Sequence, residues 1–228
     1  MNKLLKKLLI LKRLLEKDII FNIKGFSIGV LFSIIAYIFI AYDTDQNVSI
    51  AIYMSFMVTF SNYIGKSCLI EERDLVYDYL KILPLKKSYI VLSKYIGSLF
   101  VIIISCATLL IANILLFFMK VSKLNLSIDL LILMIAIYIL YFSLYLAIFF
   151  KYNYSTAQNT ILILFIGMIL IFKYFKNVTY INLNIQYILL IVSFVALYIS
   201  YKISQSQFIN KKNLRINRKK ILNSSVNN

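Results

Sequence analysis

Ile90–Met119 reads IVLSKYIGSLFVIIISCATLLIANILLFFM, and a helix made from it is too long and too apolar for a water-soluble domain. At a rise of 1.5 Å per residue it extends about 45 Å, more than the roughly 30 Å hydrocarbon core of a bilayer. This stretch therefore crosses a membrane and projects beyond it at one end. Five further apolar stretches flank it: Phe26–Ala41, Ser49–Ile64, Leu130–Phe150, Thr156–Phe175 and Ile185–Tyr201. The first two are short, so their ends extend into neighbouring polar residues. The whole chain agrees, with 61% hydrophobic and 15% charged residues and a mean hydropathy of +0.84. Soluble domains run nearer half apolar and a quarter charged. Five Gly and one Pro leave few breaks between helices. The expected fold is all-α and integral to the membrane, with six transmembrane helices.

Charge orients it. Of the 25 Lys and Arg residues, 21 fall before the first span, from Lys66 to Lys94, at Lys151, and from Lys202 onward. The opposite loops hold only Lys120, Lys123, Lys173 and Lys176. The positive-inside rule then sets both termini on the cytoplasmic side of a multi-pass cell-membrane protein. The net charge of +16 is explained by these flanks and not by nucleic-acid binding, for which the apolar helices offer no stacking surface. There is no His, which argues against imidazole catalysis and most zinc chemistry. Cys68 and Cys106 fall in a loop and in a span, so no disulfide framework is expected.

Residues 1–24 form an amphipathic helix. Leu4, Leu8, Leu11, Leu15 and Ile19 share one stripe, with Lys3, Lys6, Lys7, Arg13 and Lys17 opposite. Such a helix lies in the interface, Leu side toward the acyl chains and Lys side toward anionic headgroups. The alternative is a signal peptide, but no small-residue cleavage site follows Ile38-Phe39-Ile40-Ala41. Residues 25–203 hold the six-span domain. Residues 204–228 are a polar, basic tail, solvated and touching anionic lipid, with partner binding as the other reading.

The loop from Gly65 to Ser88 differs from the rest. Glu71, Glu72 and Asp74 open a helical stretch, Lys81 closes it, and Val76, Leu80 and Leu83 make an apolar edge. Pro84 ends it. The product is a short amphipathic cytoplasmic helix at about 70–84, either resting on headgroups or docking into another protein. Gly65-Lys66-Ser67 imitates the end of a P-loop, but Phe60 stands where the first glycine belongs. Glu71-Glu72 is similar to the paired glutamates of membrane-embedded CAAX-type proteases, which also need histidines.

From Glu71–Asp74 through Leu80-Lys81-Ile82-Leu83-Pro84-Leu85-Lys86-Lys87-Ser88-Tyr89-Ile90-Val91-Leu92-Ser93-Lys94-Tyr95, the loop resembles the signature of ABC-2 type permeases. There a cytoplasmic helix ends in Leu-Pro, followed by a basic residue and a Val-x-x-Lys-Tyr entry into the third span. Within that family the chain looks most like the small permeases of phenol-soluble-modulin-type peptide exporters. The resemblance implies the membrane subunit of an ATP-driven exporter of amphipathic or hydrophobic peptides. It implies a coupling helix between spans two and three, docked on a cytoplasmic ABC ATPase dimer through Glu71, Glu72, Arg73, Asp74, Val76, Tyr77, Asp78, Leu80, Leu83 and Pro84. ATP and Mg would be bound by that partner, and this chain would be no enzyme. A second permease copy or paralogue would complete a dimer.

Polar residues in spans are functional candidates by default. Ser55, Thr59 and Asn62 in span two, and Gln158, Asn159 and Thr160 opening span five, are candidates for a substrate path; helix–helix hydrogen bonding is their alternative use. The rival to a transporter is a non-transporting membrane subunit serving immunity or sensing.

Overall fold

The structure is a computed structural model that describes residues 3–43, 48–73, 80, 85–118, 128–174 and 183–226. Among the described residues there are seven α-helices: α1 (Lys3–Asp43), α2 (Val48–Phe60), α3 (Lys66–Arg73), α4 (Lys87–Phe118), α5 (Ile128–Lys151), α6 (Tyr154–Tyr174) and α7 (Leu183–Val226). A π-helical turn, Ser61–Gly65, joins α2 to α3. No strand occurs among the described residues.

Among the described residues, four stretches are long and apolar enough to cross a bilayer: Asn22–Phe39, Lys87–Phe118, Asp129–Lys151 and Gln186–Phe208. The expected second span is 13 residues of α-helix closed by the π-turn, and the apolar part of α6 described here, Tyr154–Leu170, is likewise shorter. The amphipathic stretch leads into the first span within one helix, α1, of 41 residues. Helix α7 continues through the basic tail to Val226.

Burial follows the logic of a membrane solvent. In α1 the buried face runs Leu14, Asp18, Asn22, Gly29, Ser33 and Tyr37, while Ile20 and Phe39 are 70% and 74% exposed. In α4 it runs Lys94, Ser98, Val101, Ser105, Thr108, Ala112 and Leu116, at helical steps of three and four. In α7 the buried polar positions are Gln186, Ser193, Ser200 and Ser204. Lipid is as apolar as leucine, so nothing drives leucine inward. Small and polar residues pack the seams because they let backbones approach and find hydrogen-bond partners there.

The centre is aromatic. Phe60 of α2 meets Tyr138, Tyr141 and Tyr145 of α5 edge-on, with ring centroids 5.2–5.8 Å apart, and Tyr53 stacks on Phe165 of α6. The most extensive helix contact is α5 on α7, and α1 packs on α2 and α4. Gly29 permits the approach of α1 to the π-turn, because a Cβ there would stand 2.6 Å from the Asn62 Cβ. Tyr37 donates to Asn113 Oδ1 at 2.9 Å, fastening α1 to α4 deep in the bundle.

Candidate functional site

The polar seams converge where α1, α3 and α4 meet. Lys94 is 1% exposed, and its ammonium donates to both Asp18 carboxylate oxygens at 3.0 Å. It also pairs with Glu71 Oε1 at 3.0 Å and donates to Ser67 Oγ. Ser67 in turn donates to Asp18 Oδ1 at 3.0 Å. Lys17 closes the group, bonded to Glu71 Oε1 and 3.3 Å from Asp18 Oδ1. Two cations thus face two carboxylates. An ammonium has three N–H donors, and Asp18, Ser67 and Glu71 take them.

Burial works to raise the Asp18 carboxyl. Lys94 and Lys17, with hydrogen bonds from Lys94 and Ser67, outweigh it and hold the pKa below the ordinary carboxylate value. Asp18 is therefore charged at neutral pH. Cys68, beside the joint on α3 and fully buried, has its thiol pushed upward by burial and stays neutral. Among the described residues no group of His, Cys, Asp and Glu could hold a metal ion.

The π-turn places these charges. The Lys66 N–H reaches back to the Ser61 carbonyl, five residues away, which inserts one extra residue into the helix. The Tyr63 carbonyl is left open to a second donor, and Asn22 Nδ2 of α1 takes it at 3.3 Å. On the other flank, Glu72 Oε2 accepts the Tyr154 N–H at 2.6 Å. Asn153 Oδ1 accepts the Thr156 N–H at 2.9 Å, an N-cap that starts α6. Glu72 supplies a negative charge where the α6 macrodipole is positive. Helix α3 is thereby fixed to α1 and α4 through Glu71 and to α6 through Glu72.

The docking reading of the loop meets a different geometry at its start. Glu71 and Glu72 lie in a helix described from Lys66 to Arg73, whose start is five residues earlier than the sequence pattern implied, and the Glu71 side chain is 4% exposed. Arg73 is exposed and Leu80 is buried. Asp74, Val76, Tyr77, Asp78, Leu83 and Pro84 lie outside the described residues. Of the path candidates, Thr59 and Thr160 bond the carbonyl one turn back in their own helices, at 2.8 and 2.9 Å, and Asn62 does the same at 2.9 Å. Ser55 is buried, Gln158 is half-buried and Asn159 is exposed.

Sequence reasoning did not bring Lys17, Asp18, Ser67 and Lys94 together as a site. Lys94 carried a signal, since it is the one charge inside Ile90–Met119, but it was read as a cytoplasmic cation and as the Lys of the Val-x-x-Lys-Tyr entry.

Neither a curated protein nor a solved structure matches the chain. The family model described as ABC-2 family transporter protein matches residues 13–208, a range that takes in Lys17, Asp18, Glu71 and Lys94. With its apolar spans and polar seams, the chain belongs to the ABC-2 transporter family, as a membrane permease subunit and not a catalytic one.

Proposed function

We propose that the chain is the membrane half of an ATP-driven exporter of amphipathic or hydrophobic peptides, worked by a separate cytoplasmic ABC ATPase. Both termini and the α3 loop lie on the ATPase side, as the 21 of 25 basic residues favour. Six crossings and a second permease copy complete the path. The observation that carries this reading is the attachment of α3 to three other helices through two adjacent acids, Glu71 and Glu72. A helix so fixed transmits a push from below into α1, α4 and α6 as a lever. The segment beyond Arg73 supplies the docking surface, with Val76, Tyr77 and Leu83 as apolar contacts and Asp74 and Asp78 as rim charges. Glu71 holds the root of that segment from inside.

The test uses the permease and its ATPase together in proteoliposomes. Val76→Asp is expected to weaken ATPase binding while membrane insertion stays normal. Glu71→Gln is expected to keep ATPase binding and lower the peptide exported per ATP hydrolysed. Unaltered affinity and transport in Val76→Asp would overturn the docking assignment. Transport by the permease without any ATPase would overturn the exporter reading.

A further inference from the structure

Helix α7 leaves the bundle in a direction set by its packed neighbours. Tyr95 of α4 bonds its Ser200 and Ser204, and Phe150 of α5 meets its Phe208 edge-on. From Leu183 to Val226 it holds neither Pro nor Gly, the residues at which helices kink sharply. The apolar stretch ends at Phe208, and the helix continues to Val226, a further length of about 27 Å at 1.5 Å per residue. The headgroup layer beside the hydrocarbon core is only about 7 Å deep. Arg215, Arg218, Lys219 and Lys220 lie about 10–18 Å along the helix past Phe208, so an unkinked α7 carries them clear of the headgroups. The family match ends at residue 208, where this extension begins.

The extension is basic along one side. Gln186, Ser193, Ser200, Ser204 and Phe208, all buried, share an arc of about 80° at the helical advance of about 100° per residue. Lys211, Lys212, Arg215, Arg218 and Lys219 hold positions on an arc of about 120° that includes it. The side of α7 turned to the bundle within the membrane is thus the side that carries the cations beyond it. No acid follows Asp129 in the sequence. The described acids of the basic side are engaged: Asp18 and Glu71 with Lys94 and Lys17, Glu72 with the start of α6, Glu16 with Lys12. Lys94 holds α3 and the next residue, Tyr95, holds α7, so the α3 loop and the extension leave the bundle side by side.

We propose that the extension of α7 is a second docking arm, which lays its basic side on an acidic surface of the cytoplasmic ATPase. The inference rests on the reading that such an ATPase works beneath α3. A partner seated on the α3 loop meets the arm alongside it, beyond the reach of the lipid headgroups. Rim charges of this kind steer association and fix register.

The test uses the full-length permease in phosphatidylcholine nanodiscs with the ATPase of the coupling experiment above. Arg215→Gln/Arg218→Gln/Lys219→Gln is expected to weaken ATPase binding about tenfold at low salt, the yield of three rim ion pairs. The difference should vanish near 1 M salt, where screening acts within about 3 Å. Arg215→Lys/Arg218→Lys/Lys219→Arg keeps the charges and should keep the affinity. Unaltered affinity in the Gln variant, with Val76→Asp still weakening binding, would overturn the arm and leave the exporter reading standing. No ATPase binding by the unaltered chain would overturn both. A second measurement places the arm. The chain has no Trp, so Leu222→Trp, on the same arc and about 21 Å past Phe208, is a single reporter. In vesicles containing phosphatidylglycerol it should escape quenching by a phospholipid with a nitroxide on its headgroup. Strong quenching would mean that the basic side lies on lipid, and would overturn the proposal.

Discussion

Where α5 meets α7, Phe150 lies edge-on to Phe208 with centroids 5.7 Å apart, and Ser200 donates to the Ser143 carbonyl. Where α1, α3 and α4 meet, Lys94 and Lys17 are clamped between Asp18 and Glu71. The first contact is spread over small increments of dispersion and weak hydrogen bonds. The second concentrates its energy in a few charges whose desolvation costs several kcal/mol each. A packed seam loses a little with each change. A buried charge joint fails at one residue, or exchanges partners while keeping its charges paired. The helix that feeds the loop of the proposed ATPase contact is held by the second kind, and the far side of the bundle by the first.

The sharpest way to break the comparison is Lys94→Met. Removing one member of a buried ion group leaves Asp18 and Glu71 sharing Lys17, at an expected cost of about 3–5 kcal/mol, read as a lower melting temperature in detergent. Asp18→Asn/Lys94→Met restores charge balance between Lys17 and Glu71 and should recover most of that loss. If the double variant is no more stable than Lys94→Met, the joint is not acting through charge. The pH profile gives the same information. Because the folded state depresses the Asp18 pKa, its contribution is full above the unfolded value of about 3.9 and disappears as pH falls through the lower folded value. The unaltered chain should therefore lose stability on acidification through that window more steeply than Asp18→Asn.

A smaller effect tests steric contact in place of charge. Gly29→Ala drives a methyl against the Asn62 Cβ, atoms that cannot swing aside as a side-chain tip can. A loss of about 1–3 kcal/mol is expected, relieved in part by Asn62→Ala. The smallest effect belongs to the packed side. Tyr95 contacts Ser200 and Ser204 of α7 at 2.6 and 2.8 Å, and Tyr95→Phe should cost only about 0.6 kcal/mol, the average for hydrogen bonds between membrane helices. A loss as large as that of Lys94→Met would erase the distinction between the two regions.

Hydropathy alone located the helices. Ile90–Met119 corresponds to α4 and Leu130–Phe150 to α5 within three residues at each end, because an uninterrupted apolar run has no other stable form in lipid. Inward and outward faces were harder to read. The Leu4–Ile19 stripe draws the eye, yet the buried face of α1 is the one with Asp18, Asn22 and Ser33. In a bilayer the informative residues are the few polar ones, and the partners that Asp18 and Asn22 find on other helices lie 41 to 76 positions away along the chain, beyond the reach of any local pattern. The π-turn was illegible for a related reason. Nothing in Ser61-Asn62-Tyr63-Ile64-Gly65 forbids an ordinary α-turn, and its form is set by the helices that grip it.

That turn works as a dislocation in the helix lattice. One surplus residue sits between α2 and α3, and an α-helix advances about 100° per residue. The angular phase of every side chain on α3 is therefore offset by that amount from what an unbroken α2 would dictate. In the phase observed, Ser67 and Glu71 point to the seam with α1 and α4 while Glu72 points to the start of α6. Were the dislocation to heal, α3 would rotate as one body by about 100°, and Glu71 would leave its cations. A single backbone defect thus stores the choice between two faces of the same helix.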